Sequence, residues 1–90
     1  MERFIVIHAV GSDISQDEVW QGFHAAATRA VKGAKWLRSY FLPDREELIC
    51  DWEAPDEAAI RESVALADAD RLIPIKEIYY AVYAEREFFT

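Results

Sequence analysis

Cysteine, glycine and proline are scarce in this sequence, and it has no long apolar run. Cys50 is the only cysteine in 90 residues. A single cysteine excludes an internal disulfide and a thiolate metal cluster within one chain, and it is typical of a reducing compartment. The apolar run that follows Met1-Glu2-Arg3 ends at His8, which is too short for a signal peptide or a membrane span. We therefore expect a cytoplasmic protein that does not cross a membrane.

Positive charge is also in short supply. The 10 Lys and Arg residues are outnumbered by 17 Asp and Glu residues, so the formal net charge is −7. An acidic protein is repelled by phosphate backbones and by anionic lipid surfaces, which argues against nucleic acid and membrane partners. Gly11 and Gly22 belong to no phosphate-binding glycine pattern, and no nucleophile is accompanied by a recognisable base. The sequence contains no complete catalytic or metal signature and indicates no particular cofactor.

Hydrophobic residues are abundant instead. They make up 52% of the chain and include three Trp, four Tyr and five Phe. The length predicts one domain spanning residues 1–90, and a domain of this size buries a smaller share of its surface than a large one. Some of the aromatic surface is therefore expected to contact a ligand or a second copy of the chain.

Residue patterns predict six secondary-structure elements. One helix is expected to begin at the capping box Ser15-Gln16-Asp17-Glu18 and to stop at Gly33. A second helix is expected to have Pro55 as its first residue, since proline suits that position. Runs of β-branched and aromatic residues predict four strands, two of which form a hairpin around the turn Pro43-Asp44-Arg45. The predicted strands span residues 3–10, 35–42, 46–53 and 77–84, and the predicted helices span residues 16–32 and 55–67.

The order β-α-β-β-α-β predicts a ferredoxin-like α+β fold. In this arrangement a four-stranded antiparallel sheet carries both helices on one face. The opposite face, which we call the open face, has no helices to cover it. Aromatic residues there are costly in water, so we expect packing against a second subunit, as in a dimeric α+β barrel, or a lid from the C-terminal tail.

The hairpin pattern predicts which side chains reach the open face. Phe41 is placed opposite Leu48, and side chains alternate between the two faces from that pair onward. The pairs predicted for the helix side are Ser39/Cys50 and Leu37/Trp52. The pairs predicted for the open face are Tyr40/Ile49, Arg38/Asp51 and Trp36/Glu53.

The first strand lies beside the third in this fold, so we expect His8 on the open face as well. The candidate ligand-binding residues are His8, Trp36, Arg38, Tyr40, Asp51 and Glu53. An imidazole and two carboxylates can hold a divalent metal ion, and a histidine oriented by a carboxylate can act as a general base. The alternative is structural: a hydrogen-bonded, partly buried His8 and an Arg38/Asp51 ion pair that balances charge.

Two segments resemble a family of small bacterial proteins that carries a domain-of-unknown-function label and is associated with nickel binding. They are Trp36-Leu37-Arg38-Ser39-Tyr40, followed by Cys50, and Ala54-Pro55-Asp56-Glu57-Ala58-Ala59-Ile60-Arg61-Glu62. The similarity covers roughly residues 35–78. The resemblance implies a ferredoxin-like fold, a dimer, and a metal or small-ligand site on the open face. The family reads W-x-H-S-Y in the hairpin, and Arg38 stands where that histidine would be, which removes a metal ligand.

Two functions remain open from the sequence, beside a purely structural dimer in which Arg38 and Asp51 simply pair. The first is a homodimeric binding protein that holds a small molecule or a metal ion on the open face. The second is a cofactor-free enzyme of the dimeric α+β barrel type, a monooxygenase, cyclase or isomerase in which His8 is the base. A deep pocket containing His8 would favour the enzyme. Arg38 is predicted to set what the open face binds, since a guanidinium held by Asp51 favours a planar anion over a metal cation.

Overall fold

The described part of the chain contains four strands and two α-helices in the predicted order β-α-β-β-α-β. The computed structural model describes residues 1–11, 15–29, 32–66 and 73–90. The strands are β1 (Glu2–Ala9), β2 (Lys35–Leu42), β3 (Glu47–Ala54) and β4 (Ile75–Ala81). The helices are α1 (Gln16–Arg29) and α2 (Glu57–Leu66), and short 3₁₀ helices cover Pro43–Arg45 and Arg86–Phe89. Within the described ranges, no helix is both long and apolar enough to span a bilayer.

The strands form one antiparallel sheet in the order β2-β3-β1-β4. Even-numbered residues of the two central strands, β1 and β3, face the helices and form the core with α2. Its most deeply buried large apolar side chains are Val6, Leu48, Trp52 and Ile60. Each such side chain contributes about 1.5–3 kcal/mol by leaving water, so the sheet and helices stabilise each other. The ferredoxin-like α+β prediction is confirmed.

Both helices begin at polar caps. The Glu18 N–H donates to Ser15 Oγ over 3.1 Å and the Ser15 N–H donates to Glu18 Oε1 over 3.2 Å, so the predicted capping box is formed. The second helix begins later than predicted. Asp56 Oδ1 accepts a hydrogen bond from the Ala59 N–H over 2.8 Å, which makes Asp56 the N-cap and leaves Pro55 outside the helix. The prediction that Pro55 is the first helical residue is therefore wrong, because the neighbouring aspartate caps the helix.

The turn that follows α1 uses the left-handed backbone region. Gly33 has a φ of 80° and Lys32 a φ of 56°, and glycine adopts this region without steric cost. Lys32 itself lies in this turn, so the prediction that the first helix extends to residue 32 is wrong. The predicted end of the second helix at residue 67 lies outside the described residues. The last strand begins at Ile75 rather than residue 77, because Ile75 pairs with His8. It ends at Ala81 rather than residue 84, since its partner Arg3 lies near the start of β1.

A β-bulge in β2 changes the predicted hairpin register. The pairs from Leu42 to Arg38 are as predicted, including Phe41 opposite Leu48 and Arg38 opposite Asp51. The next pair is Trp36 opposite Trp52, so Leu37 is an extra residue in β2. The predicted pairs Leu37/Trp52 and Trp36/Glu53 are wrong for this reason. The bulge moves Trp36 from the open face to the helix side, and Lys35 becomes the partner of Glu53.

Candidate ligand-binding face

Three cross-strand rows of side chains make up most of the open face, and a shorter fourth row, Leu42, Glu47 and Ala9, lies at its hairpin end. Strand alternation and the observed register define them, since residues paired across adjacent strands lie on the same face. The first row is Tyr40, Ile49, Ile7 and Glu77, the second is Arg38, Asp51, Ile5 and Tyr79, and the third is Lys35, Glu53, Arg3 and Ala81. These three rows are thus mainly apolar at the Tyr40 end and charged at the Arg3 end.

Arg3 is the centre of the charged end. Its Nη1 atom donates to both carboxylate oxygens of Asp51, over 3.2 and 3.0 Å. Its Nη2 atom donates to Glu53 Oε1 over 3.3 Å. The guanidinium also lies over the Tyr83 ring, 3.9 Å from the ring centroid, which is a cation–π contact. Arg3 is therefore held on several sides.

Arg38 is held less tightly. It lies opposite Asp51, but its Nη1 atom is 3.8 Å from the nearer Asp51 oxygen and its side chain is 48% exposed. Its main partner is Tyr83: a hydrogen bond to the tyrosine hydroxyl raises the pKa of the guanidinium above its usual value. The Tyr83 hydroxyl in turn donates to Glu85, and this bond to a carboxylate raises the pKa of Tyr83. The C-terminal segment thus contributes a side chain to the charged end.

His8 does not lie on the open face. As an even-numbered residue of β1, it shares the helix side with Val6 and is only 2% exposed. Its Nδ1–H donates to the Ile73 carbonyl oxygen over 2.8 Å. Burial lowers the pKa of His8, so the ring is neutral near pH 7. The cavity that His8 lines is about 20 Å³, room for about one water and too small for an organic substrate of a general base.

Trp36 also lies on the helix side, because of the bulge. Its ring stacks on Phe23 of α1 with a centroid distance of 5.2 Å and an interplanar angle of 14°. Its Nε1–H donates to Ser39 Oγ over 2.8 Å, and the Ser39 hydroxyl donates to Cys50 Sγ over 2.9 Å. Burial raises the pKa of the Cys50 thiol to about 12, so the thiol stays protonated and is a poor metal ligand.

Four of the six predicted site residues share the open face, namely Arg38, Tyr40, Asp51 and Glu53. His8 and Trp36 belong to the core side. Arg3 and Tyr83 also belong to this face and are absent from the predicted site. Continuing the alternation of β1 back from Ile5 would have placed Arg3 beside Asp51 and Glu53. The alternation of the predicted last strand puts Tyr83 on the same face as Tyr79, whereas in the structure Tyr83 follows the end of β4 and covers Arg3.

Comparison with known proteins identifies the family and the fold. The family model described as nickel responsive protein SCO4226-like matches residues 4–78. The chain belongs to this SCO4226-like family. The resemblance inferred from the hairpin and the A-P-D-E segment is therefore confirmed. No curated protein sequence gives a significant match.

Two solved structures show the same fold. The crystal structure of SCO4226 from Streptomyces coelicolor A3(2) superposes with a TM-score of 0.75 at 18% identity, over 92% of this chain and 99% of that one. A structural-genomics structure of the protein YJCS superposes with a TM-score of 0.58 at 13% identity, over 92% of this chain and 98% of that one. At these identities the likeness concerns the fold alone.

The described residues do not fit a nickel site within one chain. Among them, no group of three or more His, Cys, Asp or Glu side chains is arranged to hold a metal ion. His8 and Cys50 are buried on the helix side. The two buried carboxylates of the open face are already paired: Glu47 with Arg45 and Lys76, and Asp51 with Arg3, with Arg38 beside it. A divalent cation at Asp51 would be repelled by two guanidinium groups.

Proposed function

We propose that this protein is a homodimeric binding module whose open face takes a small organic carboxylate at Arg38. The observation that carries the proposal is the unequal engagement of the two arginines around Asp51. Arg3 makes two hydrogen bonds to Asp51 of 3.2 Å or less, whereas Arg38 is 3.8 Å away. Arg38 therefore has guanidinium donors to offer to a second carboxylate.

The surroundings of Arg38 suit a ligand that is partly apolar. Tyr40 lies two residues along β2 on the same face, and its side chain is exposed. Ile49 lies opposite Tyr40 and is partly buried. A planar carboxylate with an aromatic or aliphatic body would pair with Arg38 and cover these two side chains, which lowers the apolar area in water.

Metal binding by this chain is expected to be weak even though its family is named for a nickel response. The resemblance places Arg38 where the family pattern has histidine, and arginine has no lone pair to donate to a metal ion. Its charge adds repulsion for a cation. The open face of this member therefore favours an anion over nickel.

A second copy of the chain is the proposed cover for the apolar end of the open face. The exposed rings of Tyr40 and Tyr79 and the partly buried Ile5, Ile7 and Ile49 form an apolar patch. The charged residues of the three rows balance in sign, since Arg3, Lys35 and Arg38 accompany Asp51, Glu53 and Glu77. Two copies of a chain with net charge −7 would repel each other least through such a balanced face. The expected solution mass is twice 10.4 kDa.

Calorimetric titration with sodium benzoate and with nickel chloride tests the ligand assignment. Wild type is expected to bind benzoate, and Arg38→Gln is expected to weaken that binding roughly tenfold or more, because a charge-assisted pair is lost. Arg38→His is expected to strengthen nickel binding, since it replaces a repelling cation with a possible ligand.

Arg45→Gln is the matched control for this experiment. Arg45 is an exposed arginine in the turn of the same hairpin. Its Nε–H donates to Glu47 Oε1 over 2.9 Å, so its partner is Glu47 and not Asp51. Its loss should leave benzoate binding unchanged. Tight nickel binding by wild type that Arg38→His does not improve, or equal benzoate binding by wild type and Arg38→Gln, would contradict the assignment.

A further inference from the structure

A small cavity lies between the sheet and the helices, apart from the open face. It measures about 20 Å³ and is lined by His8, Gly22, Phe23, Trp36, Cys50, Trp52, Val64 and Ile73. A groove of about 240 Å³ lies nearby at the protein surface, lined by Trp20, Phe23, Trp36, Arg38, Ser39 and Phe41. Phe23 and Trp36 line both spaces and stack on each other at 5.2 Å. This stacked pair is a shared wall of the cavity and the groove.

Trp52, one of the residues that line the cavity, has an unused hydrogen-bond donor. Its side chain is 1% exposed, and among the described residues its Nε1–H has no hydrogen-bond partner. Buried N–H groups are nearly always paired, because an unpaired one has given up its bond to water without replacement. An acceptor that enters the cavity would restore that bond.

Gly22 is a second sign that this space is kept open. It lies inside α1, where glycine destabilises a helix relative to alanine. Packing does not require it, since a Cβ at this position would have one neighbour, Ile73 Cδ1, at an ordinary 3.8 Å. Alanine would fit, stabilise the helix and take up part of the cavity. A residue that lowers the stability of its own helix, next to an unpaired buried donor, is typical of a binding site.

We propose that this cavity is the inner end of a binding pocket for a neutral, apolar molecule that carries one hydrogen-bond acceptor. The ligand's acceptor atom accepts a hydrogen bond from the Trp52 N–H. Its apolar body occupies the groove after the Phe23–Trp36 pair moves apart. The inner cavity excludes a charged group, because its lining is mostly apolar and offers no side chain of opposite charge. The groove shares Arg38 with the proposed carboxylate site, but the cavity and the Trp52 N–H do not involve Arg38, so the inner end of the pocket does not depend on the carboxylate assignment.

An NMR titration with acetophenone tests this pocket. Acetophenone has an aromatic ring and one carbonyl acceptor, and ethylbenzene is its control of similar shape without the acceptor. The indole N–H resonances of the three tryptophans are assigned with Trp→Phe variants. Acetophenone should shift the Trp52 indole proton downfield in a saturable way, and Trp52→Phe should weaken acetophenone binding roughly fivefold or more without affecting ethylbenzene.

Gly22→Ala keeps the test independent of Trp52, which is a core residue whose loss can unfold the protein. This variant should raise the thermal midpoint and weaken acetophenone binding at the same time. The proposal is overturned if the Trp52 indole proton does not move at saturating acetophenone. It is equally overturned if that proton contacts only a bound water that acetophenone does not displace, or if Gly22→Ala leaves binding unchanged.

Discussion

The burial of His8 makes the stability of the fold depend on pH. Burial lowers the pKa of His8 below the ordinary 6.5. Above pH 6.5 the folded and unfolded chains both hold the neutral ring, and below it the unfolded chain takes up the proton first. The free energy of unfolding therefore falls as the pH drops from 6.5 toward the folded-state pKa, by at most about 1.4 kcal/mol per pH unit for this one group.

Urea unfolding of wild type and His8→Asn between pH 7 and pH 5 measures this effect. Asparagine can still donate an N–H to the Ile73 carbonyl but does not titrate. The free energy of unfolding of His8→Asn should therefore change less with pH than that of wild type. His24→Asn is the control, because His24 is exposed, and it should follow wild type. If His8→Asn and wild type have the same slope, the neutral state of the buried ring does not govern acid stability.

The contribution of the extra residue in β2 to stability can be measured by deleting Leu37. Deletion of Leu37 would leave a regular ladder with Trp36 opposite Trp52 and Arg38 opposite Asp51, since the bulge adds only Leu37. Leu37 is partly buried, so its removal should cost about 1 kcal/mol and lower the midpoint of thermal unfolding by about 4–8 °C. Circular dichroism melts measure the change.

Deletion of Ser39 is the matched comparison. It would place Arg38 opposite Cys50 on the helix side, where a buried guanidinium without a partner costs several kcal/mol. This variant should be unfolded or far less stable than the Leu37 deletion. Similar melting of both variants would show that the register of β2 is set by something other than the two faces of the sheet.

At this same scale the sequence predicts the hairpin well and the site only in part. Alternation from Phe41 and Leu48 gives the correct partners down to Arg38 and Asp51, because one buried face fixes the register. The bulge at Leu37 has no glycine or proline to indicate it, so Trp36 is assigned to the wrong face. His8 is misplaced for a simpler reason: position on a strand beside Asp51 does not determine which face a side chain takes.

Across the whole molecule, association through the open face is tested by two adjacent tyrosines of β4. Tyr79 lies on the open face and is 50% exposed, and Tyr80 lies on the helix side and is 63% exposed. Tyr79→Glu should turn a dimer into a monomer, because it buries a carboxylate in the interface. Tyr80→Glu should stay dimeric.

Sedimentation velocity at micromolar concentrations gives the mass of both variants, and far-UV circular dichroism verifies that each is folded. The proposed interface would be refuted by a monomeric wild type, or by dimers that withstand Tyr79→Glu but not Tyr80→Glu.

The bulge in β2 also affects how these molecules behave when they are crowded. β2 is an edge strand, and a regular edge exposes a row of backbone N–H and C=O groups that strands of other molecules can join. The extra residue at Leu37 interrupts that row and twists the strand locally. The Leu37 deletion, although it keeps every described pair of the hairpin, removes this interruption. Its preparations should therefore form fibrous aggregates at concentrations at which the wild-type protein stays clear.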